Sequence, residues 1–247
     1  MINVAVLGAR GRMGSEVVKA VEATDGLALI AALDLGDSLE QLKGSAAHVV
    51  VDFTTPDSVM SNLEFLINNG INVVVGTTGF DDAKLATVKG WLAQNPSVGV
   101  LIAPNFAIGA VLMMEFAEKA ARYFESAEII ELHHPAKVDA PSGTALRLGE
   151  AVAKASGRDL KKDAQYERYG NTGERKQTTI GFSTIRGGDI VGDHTVLFAG
   201  TGERIELTHK ASSRATFAKG ALRAAKFLSQ QKTGLFDMQK VLGLSDQ

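Results

Sequence analysis

The first hundred residues alternate short apolar runs with longer amphipathic segments, and this alternation narrows the folds open to the chain. Five runs consist almost entirely of Val, Ile, Leu and Ala, which predicts parallel strands buried on both faces. These runs are Asn3–Leu7, Leu27–Leu33, His48–Phe53, Ile71–Val75 and Val98–Ile102. Helical spacing of apolar residues predicts helices over Arg12–Ala23, Pro56–Asn68 and Asp81–Gln94, with Pro56 in a first turn. The pattern therefore predicts a doubly wound parallel α/β sheet that binds ligands at the carboxyl ends of its strands.

The pattern changes after Pro104, where strand-like runs with fewer helical segments predict a second domain of the α+β class. Its expected elements are a helix over Gly109–Tyr123, a strand over Glu128–His133, a helix that opens near Ser142, and strands over Gln177–Arg186, Ile190–Ala199 and Arg204–His209. This set fits an open mixed or antiparallel sheet, and the polar residues 156–177 predict a long exposed loop. A last helix over Ala215–Leu228 is expected to return to the first domain. We therefore assign 1–105 and 214–247 to one domain and 106–213 to the other.

Composition limits the partners of the chain. Lys and Arg number 26 against 28 Asp and Glu, and the net charge near −2 disfavours nucleic acid and anionic membranes as partners. Cysteine is absent, which excludes disulfides and thiol catalysis. The N-terminus lacks the basic start of a signal peptide, and no apolar run reaches the ~18–20 residues of a membrane span. We expect a cytoplasmic protein, and a homo-oligomer because an open sheet leaves edges to be covered.

A glycine-rich turn, Gly8-Ala9-Arg10-Gly11-Arg12-Met13-Gly14, joins the first strand to the first helix. Glycines there permit a tight turn and the close approach of a pyrophosphate to the helix N-terminus, although a plain strand–helix turn is the alternative. Asp34 ends the second strand, where a carboxylate suits the ribose hydroxyls of NAD and repels a 2′-phosphate. The alternative for Asp34 is an ordinary surface aspartate. Because Arg10 and Arg12 could reach a phosphate, we expect NADH to be used well and NADPH to be tolerated.

Two further loops follow strands of the first domain, Gly76-Thr77-Thr78-Gly79 and Ala103-Pro104-Asn105-Phe106. Small and hydroxyl-bearing residues there let the backbone approach a nicotinamide and its ribose. Composition alone favours the simpler alternative of two ordinary strand–helix turns. The turn Asp52-Phe53-Thr54-Thr55-Pro56 occupies an equivalent position, and we rank it below the other two as a cofactor contact.

Residues 131–145 concentrate the chemistry of the second domain in the run Glu-Leu-His-His-Pro-Ala-Lys-Val-Asp-Ala-Pro-Ser-Gly-Thr-Ala. Strand alternation places Glu131 and His133 on one face and His134 on the other. A lone histidine is more often structural than catalytic, and a lysine usually lies in solvent. Two adjacent histidines close to Lys137 favour proton transfer, because imidazole titrates near neutral pH.

The turn Ser142-Gly143-Thr144 offers backbone donors to an anion. Ser142 is a natural N-cap, so the N–H groups of Gly143 and Thr144 would face an incoming carboxylate, although capping alone is the simpler alternative. Three arginines could also meet a carboxylate, and the sequence gives no reason to choose among Arg186, Arg204 and Arg214. We assign no metal role to the histidines that lack convergent acids, His48, His194 and His209.

The chain resembles the 4-hydroxy-tetrahydrodipicolinate reductases, also called dihydrodipicolinate reductases, of lysine and diaminopimelate biosynthesis. The segments that carry the resemblance are spread over most of the chain: Gly8–Gly14, Gly76–Gly79, Ala103–Gly109, Glu131–Ala145 and Val191–Phe198. The resemblance implies a Rossmann-like first domain, a second domain that builds a homotetramer, and reduction with NADH or NADPH. Leu35 stands where members that favour NADPH often carry a basic residue, which argues against a strong preference for NADPH.

The resemblance also implies roles for individual residues. His133 would be the proton donor or acceptor and Lys137 a second proton donor, and the sequence leaves open which of them protonates carbon. Substrate would bind at His134, Gly143 and Thr144, and we place Ser142 with them. The cofactor would lie at Gly8–Met13, Asp34, Gly76–Thr78 and Ala103–Phe106. The implied substrate is a cyclic hydroxy-imine dicarboxylate that loses water to a conjugated imine and then accepts a hydride and a proton.

Two other functions stay open on the residues alone. A different NAD(P)-dependent dehydrogenase, such as an amino-acid dehydrogenase, would need other carboxylate-binding groups than the histidine–lysine cluster with its Ser-Gly-Thr turn. A nucleotide sensor would bind NAD(H) and a regulatory partner without turnover, and it would leave that cluster without a task.

Overall fold

The computed structural model describes residues 1–230 and 232–244 of the 247 in the chain. The chain separates into two compact units, one formed by Met1–Ala107 with Arg214–Gln247 and the other by Ile108–Ser213. We call them unit 1 and unit 2. Within the described ranges, no helix combines the length and the apolar character that crossing a bilayer requires.

Strands and helices alternate through unit 1, and strands dominate unit 2. The strands in chain order are β1 (Ile2–Leu7), β2 (Leu27–Leu33), β3 (Val49–Asp52), β4 (Asn72–Val75), β5 (Gly99–Ile102), β6 (Ser126–His133), β7 (Ala164–Gln165), β8 (Ile180–Arg186), β9 (Gly192–Gly200), β10 (Glu203–Ala211) and β11 (Gly234–Phe236). The helices are α1 (Arg12–Glu22), α2 (Val59–Asn68), α3 (Asp82–Gln94), α4 (Ile108–Ala120), α5 (Gly143–Ala155), α6 (Leu160–Asp163), α7 (Ala215–Leu228) and α8 (Met238–Val241), and a short 3-10 helix spans Leu39–Leu42.

Unit 1 is built on a six-stranded sheet in the order β11-β5-β4-β3-β1-β2, in which all neighbouring strands are parallel. The valines of β3 are fully buried, as a strand covered on both faces requires. The chain passes from β1 to β2 on one side and then to β3 on the other side of β1. The strand order therefore reverses at the carboxyl ends of β1 and β3, where such sheets bind ligands. The predicted doubly wound parallel sheet is confirmed.

One predicted helix start in unit 1 was wrong, and one strand was missed. The helix expected from Pro56 begins at Val59, because the carbonyl of Thr55 accepts the N–H groups of Ser58 and Val59 at 3.1 and 3.0 Å and closes a turn first. Pro56 lies in that turn, before the helix. The sequence analysis also missed β11, which pairs with β5, because three residues are too few to show a strand period.

Unit 2 is built on a five-stranded sheet in the order β10-β9-β6-β8-β7. The central strand β6 pairs antiparallel with β9 and parallel with β8, so the predicted mixed sheet of an α+β domain is confirmed. Helix α5 packs on β6 and β9, and α4 packs on α5 and β10. Side chains of β6 alternate between buried and half-buried, and Ile129, Glu131 and His133 share the buried face.

The stretch 156–177, expected as a loop, contains α6 and the short strand β7, which pairs with β8. Residues 166–178 are exposed, in agreement with their polar sequence. They are nevertheless anchored to β6, because Arg168 donates two hydrogen bonds of 2.8 Å to Glu128 and Arg175 donates a third of 3.0 Å. A strand of two residues leaves no pattern in a sequence, which is why it was missed.

Candidate functional site

The glycine-rich turn of unit 1 has the shape that a pyrophosphate requires. Gly8 has φ +74°, and a Cβ there would lie 2.5 Å from the carbonyl oxygen of Phe53. A Cβ on Gly14 would overlap the carbonyl oxygen of Gly8. Gly11 is the N-cap of α1 and has no side chain to occupy the first N–H groups of the helix. The turn therefore brings backbone donors to an open helix N-terminus, which fits the phosphates of a dinucleotide.

The other residues of the turn were also predicted as cofactor contacts. Ala9 is buried, and its N–H donates to the carbonyl of Leu33 at 3.1 Å. Arg12 is exposed and Met13 half-buried at the start of α1. Arg12 is thus the residue of this group whose side chain can reach a bound phosphate.

Asp34 lies directly after β2 and points at the glycine-rich turn. Its Oδ2 accepts the backbone N–H of Arg10 at 2.6 Å, and its Oδ1 accepts its neighbour's N–H, that of Leu35, at 2.7 Å. The hydrogen bonds from Leu35 and Arg10 lower the pKa of Asp34. An ionised carboxylate beside the turn has the charge and the acceptors that ribose hydroxyls need.

The guanidinium of Arg10 lies among acceptors that follow β2. Its Nη2 donates to the carbonyl of Leu35 at 2.9 Å and lies 3.7 Å from the carboxylate of Asp37, and its Nε lies 3.9 Å from Asp34. Asp37 was missed by the sequence analysis, although it lies only three positions after Asp34. The Arg10 side chain is 68% exposed, so it can turn towards a ligand without disrupting core packing.

Asp52 is a buried carboxylate that orders the loops beside the glycine-rich turn. It accepts the N–H and the hydroxyl of Thr54 at 2.8 and 2.6 Å, the side-chain amide of Asn62 at 2.9 Å and the hydroxyl of Thr77 at 3.2 Å. The Asp52–Pro56 turn therefore has a structural task. Asp52 fixes the side chain of Thr77 through this hydrogen bond. The adjacent Thr78 is exposed.

The two remaining cofactor loops offer mainly backbone. A Cβ on Gly76 would overlap the ring of Phe53. The absence of a side chain at Gly76 therefore lets this loop pack closely against Phe53. Ala103 and Phe106 are buried, and the rings of Phe106 and Phe53 are 5.7 Å apart. The exposed Pro104 and the half-buried Asn105, whose Oδ1 accepts the N–H of Ala107 at 2.8 Å, remain on the outside of this loop.

In unit 2, Glu131 and His133 form a buried pair on β6. The Nδ1 of His133 lies 2.5 Å from Oε2 of Glu131. Arg186 on β8 donates to both oxygens of Glu131, at 2.8 and 2.9 Å, and the N–H of Ser142 donates to Oε1 at 2.9 Å. Sequence reasoning placed Glu131 on the face of His133 but gave it no role. It also considered Arg186 as a partner of a substrate carboxylate, whereas Arg186 binds the carboxylate of Glu131.

The environment of this pair sets its protonation. Burial alone raises the pKa of Glu131, but the hydrogen bonds from Arg186, His133 and Ser142 bring it below its usual value. Burial lowers the pKa of His133, Glu131 opposes that change, and the charges of Lys137 and Arg186 lower the pKa further. An ionised Glu131 can only accept, so the neutral imidazole carries its proton on Nδ1.

Space remains beside the other nitrogen of His133. Gly192 begins β9, and a Cβ at this position would lie 3.0 Å from Nε2 of His133. A larger residue would press against that atom. Gly192, like Glu131, was missed by the sequence analysis, since one glycine in a strand-like run carries no distinct signal.

His194 and Ser142 meet next to this pair. The Nε2 of His194 lies 2.8 Å from Oγ of Ser142, and the ring centroids of His194 and His133 are 5.1 Å apart. Ser142 is the N-cap of α5, as predicted, because its hydroxyl accepts the N–H of Ala145 at 3.2 Å. The serine side chain is buried and engaged within the protein, so Gly143, exposed at the helix start, is better placed to meet a ligand.

The other predicted substrate residues lie around the end of β6 and the start of α5. The Nζ of Lys137 forms an ion pair of 2.8 Å with Asp139, another residue that the sequence analysis missed. Lys137 is half-buried, and its N–H donates to the carbonyl of His134 at 3.1 Å. Thr144 is buried in the first turn of α5. Lys137 and the helix start thus offer positive charge and backbone donors in the same unit as His133.

The other candidates have separate places. Arg204 is exposed with Glu206 at 3.8 Å, and Arg214 is the N-cap of α7. His48 accepts the N–H of Asn3 at 2.8 Å in unit 1. Across the described part of the chain, no group of three or more His, Cys, Asp or Glu side chains is arranged to hold a metal ion.

Comparison with known proteins gives one family for both units. Residues 2–106 match the model of the dihydrodipicolinate reductase N-terminus, and residues 109–242 match that of the C-terminus. The 4-hydroxy-tetrahydrodipicolinate reductase of Thiobacillus denitrificans is 53% identical over 269 residues, covering 98% of this chain and 99% of the relative. That of Chromobacterium violaceum is 47% identical and covers 98% of each chain.

Solved structures agree with this family. Dipicolinate-bound dihydrodipicolinate reductase from Paenisporosarcina sp. TG-14 is similar with a TM-score of 0.78 at 30% identity, over 97% of this chain and 98% of that chain. GenD2 from gentamicin A biosynthesis, solved with NAD, has a TM-score of 0.66 at 13% identity over 98% and 90% of the two chains, which shows a common fold alone. On the family models and these relatives together, the chain belongs to the dihydrodipicolinate reductase family of oxidoreductases.

Proposed function

We propose that this protein acts on 4-hydroxy-tetrahydrodipicolinate, which loses water to give a conjugated imine, and reduces that imine to tetrahydrodipicolinate with NADH or NADPH. Its relatives are named 4-hydroxy-tetrahydrodipicolinate reductases. The observation that carries the proposal is the buried Glu131–His133 pair, because it provides an oriented proton-transfer group in the unit that also offers cationic and backbone donors. A nucleotide sensor has no use for such a group. The relatives' names supply the identity of the substrate, and the site supplies the chemistry that it needs.

The substrate is a ring with two carboxylates, and unit 2 offers several donors to them. The N–H groups at the start of α5, at Gly143 and Thr144, receive one carboxylate with the help of the helix dipole. His134 and the ammonium group of Lys137 bind the remaining negative charge. Ser142 contributes by capping the helix and so orienting those N–H groups.

The cofactor is a pyridine nucleotide held by unit 1. The glycine-rich turn from Gly8 to Met13 would hold its pyrophosphate, and Asp34 would bind its adenosine ribose. Gly76–Thr78 and Ala103–Phe106 would hold the nicotinamide half through their backbone. When bound, the nicotinamide supplies the hydride. The carboxylate of Asp34 favours NADH, whereas the exposed Arg10 and Arg12 allow a 2′-phosphate to be tolerated.

The proton is handled by His133 and Lys137. Nε2 of His133 takes up a proton as the dianion binds, because added negative charge favours the imidazolium that burial and Lys137 disfavour. His133 and Lys137 then stabilise the negative charge that develops on the conjugated imine during reduction, and one of them returns a proton to the carbon next to the reduced position.

We further propose that the protein is a cytoplasmic homotetramer. The support for an oligomer is the open sheet of unit 2, where Ile185 on β8 pairs with Leu132 of β6, on the face opposite to Glu131 and His133, and is 45% exposed. Association of copies through this face covers Ile185. Light scattering during size-exclusion chromatography measures the mass directly, and a monomer at assay concentration would contradict this part of the proposal.

The proposed reaction is tested by following NADH and NADPH consumption with enzymatically prepared 4-hydroxy-tetrahydrodipicolinate. We expect consumption that depends on this compound with both nucleotides, and tetrahydrodipicolinate as the product by mass spectrometry. L-aspartate and other amino acids with their keto acids serve as alternative substrates. Turnover of one of those instead, or nucleotide binding without any turnover, would contradict the proposal.

A further inference from the structure

The carboxylate of Glu131 joins three segments of unit 2 in one hydrogen-bonded group. It lies on β6, accepts two bonds from Arg186 on β8, and accepts the N–H of Ser142 at the start of α5. Its third partner is the imidazole of His133, also on β6, at 2.5 Å. Glu131 is 1% exposed, so every partner of this charge is a protein group fixed in the fold. A carboxylate with so many fixed partners has one position and one orientation.

We propose that Glu131 is a positioning residue for proton transfer: fixed by Arg186 and Ser142, it holds His133 in the tautomer protonated on Nδ1 and leaves Nε2 to exchange the proton with substrate. This inference rests on the proposed reductase function. Glu131 itself has no contact with substrate in the proposal. It acts through the ring of His133.

The geometry determines which nitrogen of His133 carries the proton. An ionised carboxylate has no proton to donate, so the short bond to Glu131 requires N–H on the Nδ1 side of His133. Rotation of the ring by half a turn would break that bond and leave a buried carboxylate short of a donor. The ring of His194 packs edge-on against the ring of His133. Gly192 has no side chain, which leaves room beside Nε2 of His133. The free nitrogen is therefore the one with space beside it.

The charges around His133 explain why a carboxylate is needed there. Arg186 faces the ring from β8, Lys137 with its partner Asp139 from the loop after β6, and neutral His194 from β9. Two cations and burial all disfavour an imidazolium. Glu131 is the buried negative charge that opposes them at 2.5 Å, so its removal lowers the pKa of His133 further.

The first measurement determines the tautomer of His133 in the wild-type protein. In protein labelled with ¹⁵N-histidine, the signals of His133 are identified by their loss in His133→Gln. At alkaline pH, the proposal expects the pattern of an N–H at Nδ1 and a bare nitrogen at Nε2. The reverse pattern, or an even mixture of both tautomers, would overturn it. This result is independent of turnover, so it separates a failed positioning role from a failed reductase assignment.

The second measurement is kinetic and compares Glu131→Gln with Glu128→Gln. Glu128 lies on the same strand and is also bound by arginine, but its carboxylate faces Arg168 and Arg175 and not His133. For Glu131→Gln we expect kcat to fall roughly 10²-fold and the pH limb assigned to His133 to move to lower pH. Glu128→Gln should stay within about twofold of wild type with an unmoved limb. An unmoved limb in folded Glu131→Gln would overturn the proposal.

The third measurement asks whether Glu131 acts through His133. If it does, adding Glu131→Gln to His133→Gln causes little further loss, because the group that Glu131 orients is already gone. If the losses in kcat of the two single variants multiply in the double variant, Glu131 acts by another route and the proposal is overturned. Circular dichroism and urea unfolding verify that unit 2 of each variant is folded. If Glu131→Gln does not fold, Arg186→Lys takes its place, and the wild-type tautomer measurement stands in any case.

Discussion

The Nε2 atom of His194 lies 2.8 Å from the hydroxyl of Ser142, and this contact links β9 to the first turn of α5. His194 is 3% exposed, and its Nδ1 has no hydrogen-bond partner among the residues that the structure describes. A protonated ring would bring an unpaired donor and a charge into this environment, close to His133. Burial therefore favours the neutral form of His194 in the folded protein.

Replacing His194 with Gln removes a titrating group and keeps an amide near the position of Nε2. Burial lowers the pKa of His194 from 6.5 to about 3, so between these pH values the unfolded chain binds a proton that the folded protein does not. The free energy of unfolding must then fall as pH falls, by about 2 kcal/mol between pH 7 and pH 5 from this group. Urea unfolding at pH 7 and pH 5 should show that the free energy of unfolding of His194→Gln falls by about 2 kcal/mol less than that of wild type. Equal losses would mean that His194 is protonated in the folded protein.

Sequence patterns predicted the elements that are long and regular. Strands β1 to β5 of unit 1 were visible because runs such as Val49–Val51 are apolar on both faces, and Ser142 was recognised as an N-cap by its residue type. The strands β7 and β11, with two and three residues, were missed because periodicity needs more positions. Their places are fixed by pairing with β8 and β5, which only the folded chain reveals.

The polar core of unit 2 shows a second limit of the sequence. Alternation along β6 correctly placed Glu131 and His133 on one face, but it did not say what that face meets. The partner Arg186 lies 55 positions away on β8, and His194 reaches Ser142 across 52 positions. The same holds for Asp52 and Thr77 in unit 1, 25 positions apart. Such pairs depend on strand order, which local patterns do not contain.

His133→Gln tests the proton-transfer role directly. Gln can still accept or donate a hydrogen bond but cannot carry a proton between solvent and substrate at neutral pH. We expect kcat to fall roughly 10²- to 10³-fold, with the dissociation constant of NADH unchanged because the nucleotide positions lie in unit 1. His48→Gln, which alters a histidine of unit 1, is the control and should retain kcat. Stopped-flow kinetics and fluorescence titration measure the two quantities, and an unaffected kcat in His133→Gln would remove His133 from the mechanism.

Lys137→Ala removes a cation that the proposal places on the substrate. We expect KM to rise and kcat/KM to fall roughly 10²-fold, because both binding of the dianion and stabilisation of developing charge are lost. Lys162→Ala is a matched control: this lysine also pairs with an aspartate of unit 2, Asp159 at 3.2 Å, but is 81% exposed on α6. Steady-state kinetics of both variants should differ strongly. Equal, small effects would show that Lys137 is an ordinary surface lysine.

Asp34→Ala tests how the nucleotide is read. Without this carboxylate the ribose of NADH loses an acceptor, a 2′-phosphate meets less negative charge, and Arg10 loses one of its partners. The ratio of kcat/KM for NADPH over NADH should rise by roughly tenfold, which corresponds to about 1.4 kcal/mol. Arg10→Ala should move the ratio the other way. Asp25→Ala, in the exposed turn at the opposite end of β2, should leave it unchanged. A constant ratio in Asp34→Ala would mean that Asp34 does not contact the ribose.

Gly192→Ala tests the space beside His133 without altering any titrating group. The added Cβ would lie 3.0 Å from Nε2, a contact that forces either β9 or the imidazole to move by a few tenths of an ångström. Because a reacting group displaced by ~1 Å costs roughly 10²-fold in rate, we expect kcat to fall by about tenfold or more. Gly200→Ala, at the other end of β9, is the control, since its Cβ would lie 3.6 Å from Phe124 in ordinary contact. Both variants should unfold at similar urea concentrations. If Gly192→Ala keeps the wild-type kcat, the proton passes to substrate from another atom than Nε2 of His133.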